Sequence, residues 1–179
     1  MFVLGVDPGL SRCGYGLVRQ ASGRGLEARA AGVIETDPEA PLPERLYIVQ
    51  SELRALMAEF EPDAVVVERV FFQVNARTAM SVGQASGLAL AAAAERRCQV
   101  AQYTANEVKQ SVVGYGAATK EQVQRMVATL LGLAEPPRPP DVADALALAV
   151  CHLATLPLRR AVAAAGGDAP AGATRGGAR

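Results

Sequence analysis

The sequence has 179 residues, of which 50% are hydrophobic, enough for one domain with its own core. Its three cysteines are far apart and odd in number, which argues against a disulfide framework or a zinc site and favours a reducing, cytoplasmic location. No basic signal region opens the chain, and the most apolar stretch, Leu88 to Ala94, is too short to cross a bilayer.

The formal net charge is zero, but the charges are segregated along the chain. Residues 26–68 hold ten acids and three bases, residues 69–125 hold seven bases and three acids, and residues 157–179 hold four bases and one acid. Phosphate binding depends mainly on local Lys and Arg, so the zero net charge does not exclude a nucleic-acid partner. Solvated charges on ordinary helices explain the same pattern equally well.

The first predicted element is an apolar strand, Phe2 to Val6, followed by a turn at Pro8-Gly9. Asp7 then lies at the tip of a buried strand. Burying an unpaired carboxylate is costly, so this position predicts a cation or a strong hydrogen-bond partner nearby. Alternatively, Asp7 caps the turn through its own backbone, and this stretch alone does not decide between the two.

Two further strands are predicted at residues 14–19 and 26–36, joined by a hairpin loop at residues 21–25. The first three strands are therefore expected to be antiparallel. Apolar residues then recur at spacings of three and four from Leu42 to Phe60, which predicts a helix packed on the sheet.

The next strand, Ala64 to Val67, places a second carboxylate, Glu68, at a strand tip. A strand-helix-strand crossover sets its two strands side by side and parallel. Asp7 and Glu68 are therefore predicted to be neighbours that share a proton or hold a divalent cation.

The second half of the chain is predicted to begin with an Ala-rich helix from Asn75 to Arg97 and a strand from Gln99 to Tyr103. Capping boxes at Thr104 and Thr119 predict the starts of two short helices.

A ridge of small residues lies on the Ala-rich helix at Gly83, Gly87 and Ala91. Small residues at this spacing let another backbone approach closely. The ridge is explained equally well by packing on the helix's own sheet and by contact with a second subunit.

The last helix is predicted to begin at Asp141, after the proline-rich segment 136–140. Asp141 and Asp144 are three residues apart, so both carboxylates lie on one face of the first turn, where the helix dipole favours negative charge. An ordinary acidic first turn is the simpler explanation of this pair when it is taken alone.

Beyond Leu156 the chain consists mainly of Ala, Gly, Pro and Arg. Such a segment buries too little apolar surface to offset its ordering entropy, so residues 157–179 are predicted to be a disordered basic tail after a domain of residues 1–156. The single histidine, His152, is about three turns from Asp141 and is expected to be structural.

Four acids at two strand tips and one helix N-terminus, with one histidine and no Cys/His pair, fit metal-dependent hydrolysis of a phosphodiester. Carboxylate oxygens are hard ligands that select hard cations. The expected cofactor is Mg²⁺, two ions per active site, for which Mn²⁺ can substitute. In this chemistry one ion generates hydroxide and the other stabilises the leaving 3′ oxygen.

The chain resembles the RuvC family of bacterial Holliday-junction resolvases, which belong to the RNase H-like nuclease superfamily. The segments that carry the resemblance are residues 4–9, 14–16, 67–71, Asn75, 83–87, 108–114, Lys120 and 141–147. The implied fold is an α/β domain with a mixed five-stranded sheet, three antiparallel strands then two parallel, flanked by helices. The implied activity is that of a structure-specific endonuclease that resolves four-way DNA junctions by paired symmetric nicks in recombination and repair.

The resemblance implies four metal-binding catalytic acids: Asp7, Glu68, Asp141 and Asp144. Some members of the family carry histidine at the position of Asp141, so that position tolerates either ligand.

The resemblance also implies residues that bind DNA: Phe71, Phe72, Arg77, Lys109 and Lys120. The two lysines match basic residues near the cleaved strand, where a mobile ammonium suits phosphate. Phe71 matches an aromatic that contacts bases near the crossover, since an exposed ring can stack on an unpaired base, although a core role is its alternative. Phe72 and Arg77 are inferred from their positions in the same segment.

The family acts as a homodimer, because two nicks in strands of like polarity suit a two-fold pair of sites. Resemblance further implies partnership with the branch-migration proteins RuvA and RuvB and cleavage at short T-rich sequences.

Two other classes of protein compete with this interpretation. Half of an actin-like ATPase shares the Asp-Pro-Gly strand tip but needs a second domain, and a catalytically silent junction-binding module would have lost acids that are all present here.

Overall fold

The structure, a computed structural model, describes residues 1–21, 25–69 and 76–166, with the backbone alone at residues 76–78 and 157–166. In chain order the elements are β1 (Phe2–Asp7), β2 (Arg12–Gln20), β3 (Leu26–Glu35), α1 (Leu42–Phe60), β4 (Ala64–Glu68), α2 (Ala76–Glu95), β5 (Gln99–Tyr103), α3 (Ala105–Val113), α4 (Lys120–Leu131) and α5 (Pro140–Gly166). Every strand and helix predicted from the sequence is present, and the bounds differ from the prediction by only a few residues except at the end of α5.

The five strands form one mixed sheet in the order β3-β2-β1-β4-β5. β2 pairs antiparallel with both β1 and β3, whereas β1 pairs parallel with β4 and β4 with β5. The predicted mixed sheet is therefore confirmed. Val6 lies opposite Val67, so the residues that follow them, Asp7 and Glu68, emerge side by side at one edge of the sheet.

The two faces of the sheet carry different helices. α3, α4 and α5 cover one face in a core that includes Val3 and Val66, while α1 and α2 cover the other in a core that includes Leu4 and Val65. Successive side chains of a strand point to opposite faces. Asp7 is four residues after Val3 and therefore lies on the face that α5 covers.

Glycines in β1 and β2 let α5 lie directly on the strand backbones. A Cβ built on Gly5 would lie 2.0 Å from the carbonyl oxygen of Ala145, and one on Gly14 would lie 2.2 Å from the carbonyl oxygen of Asp141. Real Cβ atoms essentially never approach a heavy atom within 3.0 Å, so no larger residue fits either position without moving the helix. This contact places the first turn of α5 beside the tip of β1.

The last helix extends beyond the predicted end of the domain. α5 continues to Gly166, so residues 157–166, expected to be disordered, have a helical backbone, and the predicted boundary at residue 156 falls inside a helix. This stretch contains the run Ala161-Val-Ala-Ala-Ala165, and alanine favours a helix without burying any surface. Residues 167–179 of the predicted tail lie outside the described residues. Across the described ranges, no helix is both long and apolar enough to cross a membrane.

Candidate active site

The acids predicted at the strand tips lie in one cavity at the edge of the sheet. The cavity has a volume of about 230 Å³ and is lined by Asp7 at the end of β1, Glu68 at the end of β4 and Asp144 near the start of α5. Both predicted lysines, Lys109 of α3 and Lys120 at the start of α4, also line it. The structure thus gathers three of the four predicted acids and both lysines, although they come from five different elements.

Asp141, the fourth predicted acid, is not among the residues that line the cavity and is bound by an arginine. Its carboxylate accepts a hydrogen bond of 3.1 Å from Nε of Arg12, and the same guanidinium donates to Glu35 on β3. The charge on Asp141 raises the pKa of Arg12 above its ordinary value, chiefly through this hydrogen bond. Sequence reasoning missed Arg12, because no local pattern links residues 129 positions apart.

Burial and nearby negative charge shift the pKa values of the strand-tip acids upward. The pKa of Asp7 is raised from 3.8 to about 7, first because the group is buried and then because Glu68, Asp144 and Asp141 are negative. The pKa of Glu68 is also raised, mainly by burial and then by the charge of Asp144. Asp7 in turn lowers the pKa of Glu68 through a hydrogen bond between the two side chains, while the charge of Glu68 raises the pKa of Asp7, so a proton held by Asp7 lies between the two neighbouring acids.

Lys120 supplies positive charge to this cluster. Its Nζ lies 3.1 Å from Oδ2 of Asp144, and the charge of Asp144 is the main reason that the pKa of Lys120 is raised. Its positive charge also lowers the pKa of both Asp7 and Glu68. The side chain is nevertheless 68% exposed, so it can contact a ligand that enters the cavity.

The donor chemistry of the cavity fits a divalent cation. Its charged ligands are carboxylate oxygens, which hard cations prefer, and a cation would relieve the repulsion that raises the pKa of Asp7. Within the described residues, no three Asp, Glu, His or Cys side chains already form a metal cage. The fit therefore depends on the type of ligand and on charge, and binding requires Asp7 to lose its proton.

Three predicted DNA-binding residues have no described side chain. Phe71 and Phe72 lie outside the described residues, and Arg77 lies in the first turn of α2 where the structure describes only the backbone. His152, by contrast, is buried, with Nδ1 3.0 Å from the Tyr103 hydroxyl, which agrees with the structural role predicted for it.

Comparison with known proteins places this arrangement in a family. The sequence model of the family described as crossover junction endodeoxyribonuclease RuvC matches residues 3–152. The RuvC of Syntrophomonas wolfei is 51% identical over 153 residues, which cover 86% of this chain and 88% of that protein. The RuvC of Salinispora arenicola is 50% identical over 175 residues, which cover 98% of this chain and 100% of that protein.

Solved structures agree with the sequence comparison. The structure of Thermus thermophilus RuvC superposes with a TM-score of 0.83 at 37% identity, covering 89% of this chain and 97% of that one. The T. thermophilus RuvC in complex with Holliday junction substrate superposes with a TM-score of 0.81 at 35% identity, covering 88% of this chain and 96% of that one.

The strand order and the acid-lined cavity at the sheet edge define a nuclease domain of the RNase H-like class. The family match covers most of the chain, and relatives over nearly its full length are half identical to it. The chain belongs to the RuvC family of crossover junction endodeoxyribonucleases.

Proposed function

We propose that this protein resolves Holliday junctions by cutting two strands symmetrically, in DNA recombination and repair in the cytoplasm. The observation that carries the proposal is the cavity in which Asp7, Glu68 and Asp144 meet Lys120. A relative with the same fold is known in complex with Holliday junction substrate, which supports the same substrate here.

The four acids are proposed to hold two Mg²⁺ ions, with Mn²⁺ as a substitute. When bound, the metal activates the attacking water and stabilises the leaving 3′ oxygen. Asp7 contributes as a carboxylate, so it must release the proton that its raised pKa of about 7 lets it keep near neutral pH. Arg12 orients Asp141 by its hydrogen bond of 3.1 Å.

The two lysines are proposed to contact the cleaved strand. Lys120 is exposed and only 3.1 Å from Asp144, so its ammonium can turn between that carboxylate and a phosphate oxygen in the cavity. Lys109 lines the same cavity from α3. Phe71, Phe72 and Arg77 remain proposed contacts to DNA near the crossover.

A cleavage assay with metal controls tests this function. The wild type is incubated with a synthetic four-way junction and with linear duplex, each with Mg²⁺ and with EDTA. We expect paired nicks in the junction with Mg²⁺, binding without cleavage in EDTA, and little cleavage of linear duplex. Binding without cleavage under both conditions would favour a silent junction-binding module instead.

We further propose that the protein acts as a homodimer through the outer face of α2. Gly83 and Gly87 are exposed on this helix, and a Cβ built on either would meet nothing within 4 Å among the described residues. Met80, one turn earlier, is 64% exposed. The two glycines therefore do not serve packing on the helix's own sheet, and a second copy is the occupant that paired cleavage requires.

The oligomeric state of a matched pair of variants tests this interface. Gly87→Lys adds a side chain where the monomer has room, so it should dissociate the dimer in analytical ultracentrifugation while the fold remains intact. Thr129→Lys makes a similar change at an exposed position on α4, on the other face of the sheet, and should leave the dimer unaffected. A dimer that persists in the Gly87 variant would contradict the assignment.

Partnership with RuvA and RuvB is proposed from the family resemblance. Cleavage of a junction already bound by those proteins, compared with cleavage of the free junction, measures any coupling. Equal rates on both substrates would argue against it.

A further inference from the structure

A second groove opens beside the acid-lined cavity and shares Lys120 with it. It lies between the first turns of α4 and the proline-rich segment 136–140, and its volume is about 880 Å³. Because one lysine lines both spaces, the groove and the cavity are adjacent.

The groove carries an excess of positive charge. Arg125 and Arg138 line it together with Lys120, against a single acid, Glu121. Nε of Arg125 donates to the carbonyl oxygen of Glu121 at 3.3 Å, and neither arginine forms an ion pair with a described carboxylate. Both side chains are exposed, so their guanidinium groups are available to an anion.

Half of the other arginines with described side chains differ in this respect. Four of these eight form ion pairs with carboxylates: Arg12, Arg19, Arg29 and Arg54. Their charge is largely neutralised within the protein. Arg125 and Arg138, by contrast, keep their charge available to an anion, and they do so beside the acid-lined cavity.

The far wall of the groove is stiff. Arg138 lies between Pro137 and Pro139, and Pro136 and Pro140 flank these in turn. Proline fixes its own φ angle and restricts the residue before it, so the segment loses little conformational entropy on binding. Arg138 is therefore presented toward the groove from a largely preset backbone.

We propose that this groove binds the sugar-phosphate backbone of the cleaved strand next to the scissile phosphate, with one phosphate contact each from Arg125 and Arg138. The guanidinium fork matches phosphate oxygens, and such contacts fix the position of a strand without reading its sequence. The inference rests on the proposed junction cleavage, since it is the shared Lys120 that connects the groove to the acids.

A matched pair of double variants tests the groove. Arg125→Gln with Arg138→Gln removes two charges from it. Arg96→Gln with Arg97→Gln removes two exposed charges just before β5, at the end of the sheet opposite the acids. Each is titrated with a four-way junction in EDTA over a salt series, and folding is checked by thermal melting.

The groove variant should flatten the dependence of log affinity on log salt by roughly 1.8 per protomer, since each lost phosphate contact on duplex DNA accounts for about 0.9. Between 50 and 200 mM salt, the loss of affinity should therefore be about twelvefold smaller than in wild type. The control variant should keep the wild-type slope. Arg125→Lys with Arg138→Lys retains both charges and should restore most of the slope.

An unchanged slope in the groove variant, or an equal flattening in the control, would overturn the proposal. In either case wild-type cleavage of the junction with Mg²⁺ shows whether the proposed function itself stands. A wild type that neither binds nor cuts the junction would overturn both.

Discussion

The two faces of the sheet are built by different means. On the face covered by α1 and α2, large side chains such as Leu4, Leu53 and Met57 fill the space between helix and strand. On the face covered by α5, the strands present Gly5 and Gly14, and helix backbone lies against strand backbone. The first face can repack when a side chain changes, whereas the contacts of α5 at Gly5 and Gly14 leave no room for an added side chain. The candidate active site lies on the second face.

The largest effect should come from Asp7→Asn, which alters the site without changing the core on either face. Cleavage should fall by about 10³-fold or more, because a metal ligand loses its charge, an effect of about 4 kcal/mol. Junction binding in EDTA should be unchanged or tighter, since one charge that repels phosphate is removed. Single-turnover kinetics measure the fall in cleavage, and a titration with the junction in EDTA measures the change in binding.

The exposed acid Glu59 on α1 provides the control for this variant, and Glu59→Gln should cut normally. Near-normal cleavage by the Asp7 variant with Mg²⁺ would contradict the assignment of this cavity as the active site.

Gly14→Ala should produce the next largest effect, because it places a methyl group where α5 touches the sheet. The new Cβ would lie 2.2 Å from the carbonyl oxygen of Asp141, so the first turn of α5 must move. We expect a loss of stability of about 1–3 kcal/mol and a fall in cleavage of about 10²-fold in the folded protein. Urea unfolding and cleavage assays on the same preparation separate the loss of stability from the loss of activity. Normal cleavage would show that the site tolerates a displaced helix.

Lys120→Ala should reduce cleavage by about tenfold to 100-fold with little change in melting temperature. The side chain is 68% exposed, and an ion pair at such a position contributes only about 0–1 kcal/mol to stability. Lys109→Ala should also reduce cleavage with little change in melting temperature. A large fall in the melting temperature of either variant would instead indicate a structural role.

The raised pKa of Asp7 predicts a pH dependence of stability in EDTA. Because the fold favours protonated Asp7, the stability that this group contributes is fully present below its ordinary pKa of 3.8 and is lost as pH rises through about 7. Wild type should therefore lose about 1–3 kcal/mol relative to Asp7→Asn between pH 5 and 8.

Thermal melting of wild type and the Asp7 variant at both pH values tests this, and Mg²⁺ should restore stability at pH 8 in wild type more than in the variant. A difference in stability that does not change with pH would show that Asp7 does not titrate in this range.

The smallest effect on cleavage should come from Leu53→Ala, which creates a cavity on the other face. Leu53 is fully buried, so the free energy of unfolding should fall by about 2–5 kcal/mol. Cleavage per folded molecule, measured well below the melting temperature, should stay within about twofold of wild type because the side chain does not face α5. A larger fall would mean that the two faces are mechanically coupled.

Most of the fold and part of the site follow from local rules. The neighbouring positions of Asp7 and Glu68 were predicted from an apolar strand, a crossover helix and a second apolar strand, and the sheet register confirms them. The capping boxes at Thr104 and Thr119 are present as predicted, because they depend on residues only three positions apart.

What the sequence did not predict depends on long-range contacts or on propensity acting alone. Arg12 meets Asp141 only after β2 and α5 have packed together. The helical segment 157–166 needs no buried surface, so an estimate based on burial missed it. Phe71 and Phe72 lie outside the described residues, and their roles remain predictions.

The contact between α5 and the glycines of β1 and β2 has a mechanical consequence. A joint between two backbones has no rotamers that could relax, so α5 can shift only by deforming dihedral angles and hydrogen bonds that the helix and the sheet themselves maintain. The acids of the helix and the acids of the strands are thus fixed to a common rigid frame. Their spacing should change little when the temperature rises or when a bent junction pulls on the protein.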